Sequence, residues 1–247
     1  MRRFGLIGYP LEHSFSPAYF SEKFYREGIN NASYELFPLS RIDEFPALLD
    51  AETGLSGLNV TIPYKEAVIP YLAALSPSAE AMGAVNTIAF SPEGLVGHNT
   101  DWLGFRDAVT PLLPQTPGKA LVLGTGGSAK AVHYALQQAG WETAAVSRRE
   151  QSGVAYTYQN LDAAVVEDHH LVVNCTPLGM HPNELTFPDL PYDAMGPNHV
   201  LFDLVYNPLK TVFLIKGEQR GATIKNGLAM LHGQAEAAWD IWNEEEA

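Results

Sequence analysis

A continuous apolar strand, followed at once by a glycine turn and a helix, constrains the fold more than any other feature of this chain. ALVLG is typical of a parallel strand buried on both faces, and the loop Gly124 to Lys130 (GTGGSAK) opens a helix that ends at Gly140. Ala129 and Ala131 allow this helix to pack closely on the sheet. Further strands are predicted at ETAAVSRR, LVVNCTP and HVLFDLVY. The alternation predicts a parallel sheet with helices on its faces.

The residues before this unit also alternate between strand and helix signals. Ser16 is predicted as the N-cap of a helix with Pro17 at its first position, and Gly28 ends that helix. Residues Leu95 to Asp101 are predicted to be a loop. Strands are predicted at FGLIG, SYELF, GLNVT and VNTIAF. Two α/β units are therefore expected.

A lysine follows one of these predicted strands directly, in the segment GLNVTIPYK. Leu58, Val60 and Ile62 are expected on one face of a strand that ends at Pro63. Lys65 then has two interpretations, a solvated cation at the start of the next helix or an acid that faces a substrate. Spacing within this segment does not decide between them.

Composition bounds the class of protein. The chain has 247 residues, of which 46% are apolar and 17% charged, as in a folded globular protein long enough for two cores. Its formal net charge of −13 argues against nucleic acid or an anionic membrane surface as a partner. No apolar run has the length of a membrane span, and we expect a cytoplasmic protein. The single cysteine, Cys175, excludes an internal disulfide.

The glycine loop predicts a dinucleotide site rather than a nucleotide P-loop, which requires a Gly-Lys-Ser/Thr ending that is absent here. Glycines let the backbone approach a pyrophosphate, whose charge is met by N–H groups at the helix start. An NAD site usually has Asp or Glu at the end of the second strand. Here Ser147, Arg148 and Arg149 stand at that point and favour the 2′-phosphate of NADP(H). A plain structural turn and a solvated arginine pair are the alternatives.

Two polar loops, GAVNT and GHNTD, are expected to converge on Lys65. Reduction of a carbonyl by hydride leaves an alkoxide that needs a proton, and a lysine oriented by an aspartate can deliver it. A surface ion pair with Asn-containing turns is the alternative. Ser14 and Ser16 are expected to point the same way in an extended segment and to bind one carboxylate through hydroxyls. The histidines, His13 and His98 among them, show no metal-ligand spacing, so no metal is expected.

Eight motifs, in order and over nearly the whole chain, resemble the shikimate dehydrogenase family: GYPLEHSFSP, GLNVTIPYK, GAVNT, GHNTD, GTGGSAK, NCTPLGM, DLVYNP and NGLAMLHGQA. The resemblance implies a two-lobed α/β fold with an N-terminal substrate domain and a Rossmann-type parallel-sheet domain for the dinucleotide. It also implies an oxidoreductase that reversibly reduces 3-dehydroshikimate to shikimate with NADPH, a step in chorismate and aromatic amino-acid biosynthesis.

The resemblance further implies roles for single residues. The catalytic pair would be Lys65 and Asp101. The substrate would be held by Ser14, Ser16, Thr61, Asn86, Asp101, Tyr206 and Gln234. The cofactor phosphates would lie against Gly124, Gly126, Gly127 and Ser128, and the 2′-phosphate against Ser147 and Arg148. The nicotinamide end would lie near Thr176, Leu204, Gly227 and Met230.

We expect residues 1–101 to form the substrate-binding and catalytic domain, completed by a C-terminal helix over residues 226–247, and residues 102–225 to bind NADP. The family usually has Asn-Arg-Thr where this chain has Ser147-Arg148-Arg149, and its next helix is expected to be truncated or missing between Glu150 and Asn160. A quinate/shikimate dehydrogenase that uses NAD and a noncatalytic NADP-binding regulatory protein are the alternatives. A monomer or homodimer with a small-molecule substrate is expected.

Overall fold

The computed structural model describes residues 1–12 and 14–244, and the chain divides into two compact units. Unit 1 consists of Met1–Thr100 together with the segment from Ala235 onward. Unit 2 consists of Asp101–Gln234. The first unit is therefore assembled from two stretches that are far apart in the sequence, whereas the second is continuous.

Unit 1 is built on a mixed sheet of six strands. These are β1 (Arg2–Gly8), β2 (Ala32–Pro38), β3 (Leu55–Val60), β4 (Ala74–Leu75), β5 (Thr87–Ser91) and β6 (Gly94–His98). Their order in the sheet is β2-β1-β3-β5-β6-β4. β1 pairs in parallel with β2 and β3, whereas β5 is antiparallel to β3 and β6. The tight connection between β5 and β6 makes that pair a hairpin, which requires antiparallel strands.

Two predictions for unit 1 are wrong. Gly94–His98 is a strand, so most of the segment predicted as a loop before Asp101 belongs to the sheet. The strand before Lys65 ends at Val60 rather than at Pro63, and Ile62 is 70% exposed. The chain leaves the strand because a turn begins at Thr61, whose carbonyl accepts a hydrogen bond from the Tyr64 N–H at 2.9 Å.

Three helices of unit 1 precede its last strands: α1 (Ser16–Glu27), α2 (Phe45–Ala51) and α3 (Pro77–Met82). The alternating side chains of β1 supply two separate apolar clusters. Ile7 packs in one of them with Phe45, Leu58 and Val60. Phe4 and Leu6 pack in the other. Both faces of the central strands are therefore covered.

Unit 2 contains a parallel sheet in the order β12-β11-β10-β7-β8-β9. Its strands are β7 (Lys119–Leu123), β8 (Glu142–Ser147), β9 (Tyr156–Thr157), β10 (Leu171–Asn174), β11 (Val200–Asp203) and β12 (Thr223–Lys225). Its helices are α4 (Asp101–Val109), α5 (Gly127–Gln138), α6 (Ala163–Asp168) and α7 (Val212–Gln219). All pairings in this sheet are parallel. The prediction of a parallel sheet with a glycine turn after its central strand is confirmed.

The strands at the centre of this sheet are buried on both faces. Leu121 and Leu123 pack in one apolar cluster, and Ala120 and Val122 pack in the other. Ala129 is 1% exposed and Ala131 fully buried, as close packing of α5 on the sheet requires. The segment from Glu150 to Asn160 forms turns and the short strand β9 but no helix, which agrees with the expected truncation.

The last helix, α8 (Leu228–Glu244), begins in unit 2 and continues into unit 1. Residues 245–247, at the end of the helix predicted over 226–247, lie outside the described residues. Trp242 of α8 stacks on Phe4, with ring centroids 4.7 Å apart. Its indole N–H donates to the carbonyl of Ile88 at 3.1 Å. The sheet of unit 1 is thus covered by residues that come last in the sequence.

Candidate active site

A chain of buried hydrogen bonds crosses the sheet of unit 1. The Tyr34 hydroxyl donates to Asn59 Oδ1 at 2.7 Å. The Asn59 amide nitrogen donates at 3.2 Å both to the Asn86 carbonyl and to Thr87 Oγ1. Burial raises the pKa of the Tyr34 hydroxyl, so it acts here as a neutral donor. These hydrogen bonds hold together residues that are far apart in the sequence.

The hydrogen-bond network continues from Asn86 to Thr100, the last residue of the first segment of unit 1. Asn86 Oδ1 accepts the Thr100 backbone N–H at 2.7 Å, and Asn86 Nδ2 donates to Thr100 Oγ1 at 3.0 Å. Asn99 Nδ2 donates to the carbonyl of Ala84 at 2.9 Å. Side chains of GAVNT and GHNTD therefore bind each other's loop, in part through backbone groups. Thr100, which takes part in these bonds, is followed directly by Asp101.

Lys65 is held through its backbone beside this network. Its carbonyl accepts the Val85 N–H at 2.7 Å, and Val85 immediately precedes Asn86. The preceding residue, Tyr64, is buried and donates its hydroxyl to the Leu39 carbonyl at 2.6 Å. Lys65 itself is half-buried. The backbone at Lys65 is therefore fixed by bonds at Tyr64 and at its own carbonyl, and the action of its side chain on a substrate stays a prediction.

Asp101 and Thr61 are also held by neighbouring elements. Asp101 is 6% exposed and is the first residue of α4. A carboxylate in the first turn of a helix is stabilised by the helix dipole. The Thr61 N–H donates to the Ile7 carbonyl at 2.9 Å, which fixes Thr61 at the end of β1 and β3. The pairing of Lys65 with Asp101 stays a prediction.

The two serines occupy different backbone environments. The Ser14 N–H donates to the Leu11 carbonyl at 3.0 Å in a turn. Ser16 begins α1, and Phe15 is the N-cap, with helical angles of φ −73° and ψ −36° and no side-chain cap bond. The predicted N-cap role of Ser16 is therefore wrong, and so is the extended segment expected to align the two hydroxyls. His13 lies outside the described residues.

The glycine loop of unit 2 follows β7 and leads into α5. Gly124 has φ +111°, a conformation that side-chain-bearing residues rarely adopt, and its N–H donates to the Val146 carbonyl at 2.8 Å. Gly126 is the N-cap of α5, and Gly127 and Ser128 form its first turn. Among the described residues, no atom beyond its immediate neighbours lies within 4 Å of where a Gly126 side chain would begin. The loop is shaped to let an anion approach the helix start.

The end of β8 presents the predicted 2′-phosphate residues. Ser147 is its last residue and is half-buried, whereas Arg148 and Arg149 are exposed. The Ser147 carbonyl accepts the Tyr158 N–H at 3.3 Å, so β9 runs directly alongside. Burial raises the pKa of Tyr158 to about 12, with the nearby Cys175 thiol adding to the effect. The truncated segment thus brings Tyr158 to this edge.

Residues expected near the nicotinamide follow β10 and β11. Thr176 comes two residues after β10, and its Oγ1 donates to Asn174 Oδ1 at 2.6 Å. Leu204 follows β11, and its N–H donates to the Asn174 carbonyl at 2.9 Å. The Gly227 N–H donates to the Val205 carbonyl at 3.2 Å. The structure brings these three segments together at the carboxyl edge of the sheet, where ligands of such sheets bind.

Three further predicted residues lie in unit 2. Met230 is buried in its apolar core, beside Phe105 and Phe202. Tyr206 is half-buried, and burial raises the pKa of its hydroxyl. Gln234 lies on α8 and donates to the Leu231 carbonyl at 3.0 Å. Their contact with a ligand stays a prediction.

Sequence reasoning missed several residues that organise these segments. Tyr34, Thr87 and Thr100 build the network of unit 1, and Asp203 with Thr211 does the same in unit 2. The sequence feature that could have indicated these networks is a polar residue inside an otherwise apolar strand, since a buried polar side chain needs hydrogen-bond partners. Asn59 and Asn174 both carry that signal.

Residues 1–12 and 14–244 contain neither a metal cluster nor a membrane-spanning helix. In that part of the chain, no group of three or more His, Cys, Asp or Glu side chains is arranged to hold a metal ion. Nor does any helix in the same residues combine the length and apolarity needed to cross a membrane.

Comparison with known proteins identifies the family. Residues 6–88 match the family model of the shikimate dehydrogenase substrate binding domain. A shikimate dehydrogenase (NADP(+)) of Moorella thermoacetica is 39% identical over 261 residues, covering 98% of this chain and 88% of that protein. The chain belongs to the shikimate dehydrogenase family. A second relative with the same description, from Desulforamulus reducens, is 37% identical over 96% of this chain and 88% of its own length.

Solved structures of the shikimate dehydrogenase family share the whole fold. One, from Thermus thermophilus and described as in complex with NADP(H) and shikimate, has a TM-score of 0.88 at 32% identity and covers 99% of this chain and 94% of its own. A quinate dehydrogenase from Corynebacterium glutamicum, described as in complex with NAD, has a TM-score of 0.84 at 27% identity, with coverage of 98% and 93%. The shikimate dehydrogenase fold therefore extends over both units of this chain.

Proposed function

We propose that this chain reduces 3-dehydroshikimate to shikimate with NADPH, and catalyses the reverse oxidation, as a cytoplasmic monomer or homodimer. Its membership in the family supports the reaction, and the Thermus relative described with NADP(H) and shikimate supports both ligands. The observation that carries the proposal is the buried hydrogen-bond network from Tyr34 through Asn59 and Asn86 to Thr100. It holds the segment that leads into Asp101, and the adjacent Val85 N–H binds the Lys65 carbonyl.

The substrate-binding and catalytic domain is assigned to residues 1–101 with the C-terminal helix, that is, to unit 1 together with Asp101 and the start of α8, and the NADP-binding domain to residues 102–225. The open backbone at Gly126 and the N–H groups at the start of α5 fit a pyrophosphate. The phosphates are assigned to Gly124, Gly126, Gly127 and Ser128. Ser147, Arg148 and Arg149 are assigned to the 2′-phosphate, and Thr176, Leu204, Gly227 and Met230 to the nicotinamide side. When bound, the nicotinamide gives or accepts the hydride.

The remaining chemistry is a proton transfer by this chain's own residues. The Lys65 ammonium donates a proton to the substrate carbonyl oxygen during reduction and takes it back during oxidation. Asp101 orients that ammonium and accepts a hydrogen bond from a ring hydroxyl. Ser14 and Ser16 hold the carboxylate with Tyr206 beside them, and the other ring hydroxyls are assigned to Thr61, Asn86 and Gln234.

The test is a spectrophotometric assay of shikimate and quinate against NADP⁺ and NAD⁺. We expect turnover of shikimate with NADP⁺ to exceed every other combination. Lys65→Ala should lower kcat by about 10²-fold or more, the scale of general acid–base catalysis, and change the KM for shikimate little. A near-normal kcat for Lys65→Ala would exclude this lysine as the proton donor.

Lys119→Ala is the matched control, because Lys119 forms an exposed ion pair with Asp168 at 2.6 Å in unit 2 and should leave kcat unchanged. Preference for NAD⁺ would overturn the cofactor assignment. A purified chain that binds NADP⁺ but leaves shikimate unoxidised would support a regulatory protein instead.

A further inference from the structure

A fully buried carboxylate lies at the carboxyl edge of the sheet of unit 2. Asp203 is the last residue of β11, has no exposed surface, and pairs in register with Asn174, the last residue of β10. Both strands are followed directly by segments assigned to the nicotinamide side of the cofactor. A buried carboxylate is costly unless its oxygens are hydrogen-bonded, so its partners indicate why it is there.

One set of bonds runs from Asp203 to Thr176. Asn174 Nδ2 donates to Asp203 Oδ1 at 2.9 Å and, at the longer distance of 3.3 Å, to the Leu178 carbonyl, and these two acceptors fix the orientation of the Asn174 amide. Asn174 Oδ1 is thereby turned toward Thr176 and accepts its backbone N–H at 3.1 Å and its hydroxyl at 2.6 Å. If the Asn174 amide rotated, both bonds to Thr176 would be lost. Asp203, the nearer of the two acceptors of that amide, therefore contributes to the position of Thr176.

A second set runs from the same oxygen to the segment after β11. Asp203 Oδ1 also accepts the Val205 N–H at 3.0 Å, which closes a turn around Leu204. The Val205 carbonyl in turn accepts the Gly227 N–H. One carboxylate oxygen thus fixes three of the segments assigned to the nicotinamide side.

The other oxygen anchors the carboxylate itself. Asp203 Oδ2 accepts the Thr211 hydroxyl at 2.5 Å, and Thr211 Oγ1 accepts the Leu214 N–H at 3.4 Å as the cap of α7. This contact restrains the side chain without touching any segment assigned to the cofactor. The two oxygens therefore have separable roles, one directed to the ligand segments and the other to the fold.

We infer that Asp203 is a positioning residue, which acts through Asn174 and Val205 to hold Thr176 and Leu204 against the nicotinamide half of the cofactor. The inference rests on the proposed function, since that is where the nicotinamide half is assigned. It implies that loss of the Asp203 acceptor affects the nicotinamide half of NADP⁺ and spares the adenosine half, which is assigned to other loops.

Binding of NADP⁺ and of adenosine 2′,5′-bisphosphate to the full chain, measured by calorimetry, tests this. Asp203→Ala should raise the Kd for NADP⁺ by fivefold or more and lower kcat, while the Kd for the bisphosphate changes by less than twofold. Asp203→Asn keeps an oxygen acceptor for Asn174 and Val205, so it should bind both ligands within about twofold of the wild type. Thr211→Val, the matched control, should lower stability and leave both Kd values unchanged.

Three results would overturn the inference: an unchanged Kd for NADP⁺ in Asp203→Ala, equal weakening of both ligands, or an Asp203→Asn variant as impaired as Asp203→Ala. If Asp203→Ala does not fold, Asn174→Leu removes the same link with a side chain of similar size. It must then show the same difference between the two ligands, and equal effects on both would refute the inference. Failure of the wild type to oxidise shikimate would reject the proposed function and leave these binding comparisons valid.

Discussion

Gly57 lies where the final helix meets the sheet of unit 1, and a single methyl group there should separate them. A Cβ at Gly57 would lie 2.3 Å from Trp242 Nε1 and 2.5 Å from its Cδ1, far inside contact distance. The indole is 2% exposed and would have to move by about 1 Å to restore normal contact. That shift breaks its 3.1 Å bond to the Ile88 carbonyl and disturbs its stacking on Phe4.

The magnitude follows from these contacts. A buried carbonyl left without its partner costs about 1–3 kcal/mol. An aromatic pair contributes about 0.5–1.5 kcal/mol beyond its burial, and overpacking costs about 1–3 kcal/mol. Because these effects share one displacement, we expect Gly57→Ala to lower the free energy of unfolding of unit 1 by about 3–5 kcal/mol. That is a large part of the about 5–15 kcal/mol available to a native protein.

Native-state hydrogen exchange is the assay, since it resolves the stability of each unit separately. Each 1.4 kcal/mol of lost stability raises the exchange rate about tenfold. Amides of β1 and β3 should therefore exchange about 100-fold faster or more, whereas amides of β7 and β10 should exchange at the wild-type rate. Gly196→Ala is the matched control, since among the described residues nothing beyond immediate neighbours lies within 4 Å of its added methyl. The decisive comparison uses Trp242→Ala. If Gly57→Ala is as destabilising in that background as in the wild type, the clash is not the cause.

Three further predictions concern ligands and pH. Ser14→Ala should raise the KM for shikimate and leave kcat unchanged, and an unchanged KM in steady-state assays would remove Ser14 from the carboxylate site. Arg148→Ala should raise the KM for NADP⁺ by about tenfold, because a charge-assisted hydrogen bond contributes about 1.5–3 kcal/mol; an equal effect on NAD⁺ would contradict a 2′-phosphate contact. Burial raises the pKa of Asp203 from 3.8 to about 6, so between these pH values the native state holds a proton that the unfolded chain has lost. This contribution to stability is complete only well below pH 3.8 and is lost as pH rises through about 6. Asp203→Asn should therefore gain about 2 kcal/mol relative to the wild type between pH 4 and pH 7 in urea titrations, and a pH-independent difference would refute the shift.

The fold of unit 2 could be predicted because its signals are local. β7 is apolar at successive positions since both faces of the sheet are covered, and the glycine turn and helix follow within the same short segment. The strand β9 and the alignment of Tyr158 with Ser147 could not be predicted, since two residues of strand carry no periodicity.

The candidate site was predictable as a set of residue types but not as a network. Tyr34 lies on β2 and Asn59 on β3, with β1 between these strands in the sheet, so only the three-dimensional register shows that they meet. The predicted alternation of side chains fails at Ile62 and at Ser16, because the backbone is not extended at either place. A period of two holds only while the chain remains a strand.

The split construction of unit 1 has a consequence for how the chain folds during synthesis. Domains generally fold in the order in which they emerge from the ribosome. The strands of unit 1 emerge first, yet Trp239 and Trp242, which pack on Phe4, are made only after all of unit 2. The apolar face around Phe4 and Phe20 therefore waits through the synthesis of more than half the chain. Synthesis of unit 2 begins later than that of unit 1 but is complete at Gln234, before the last segment of unit 1 has been made. Unit 2 is therefore the first unit that can fold completely.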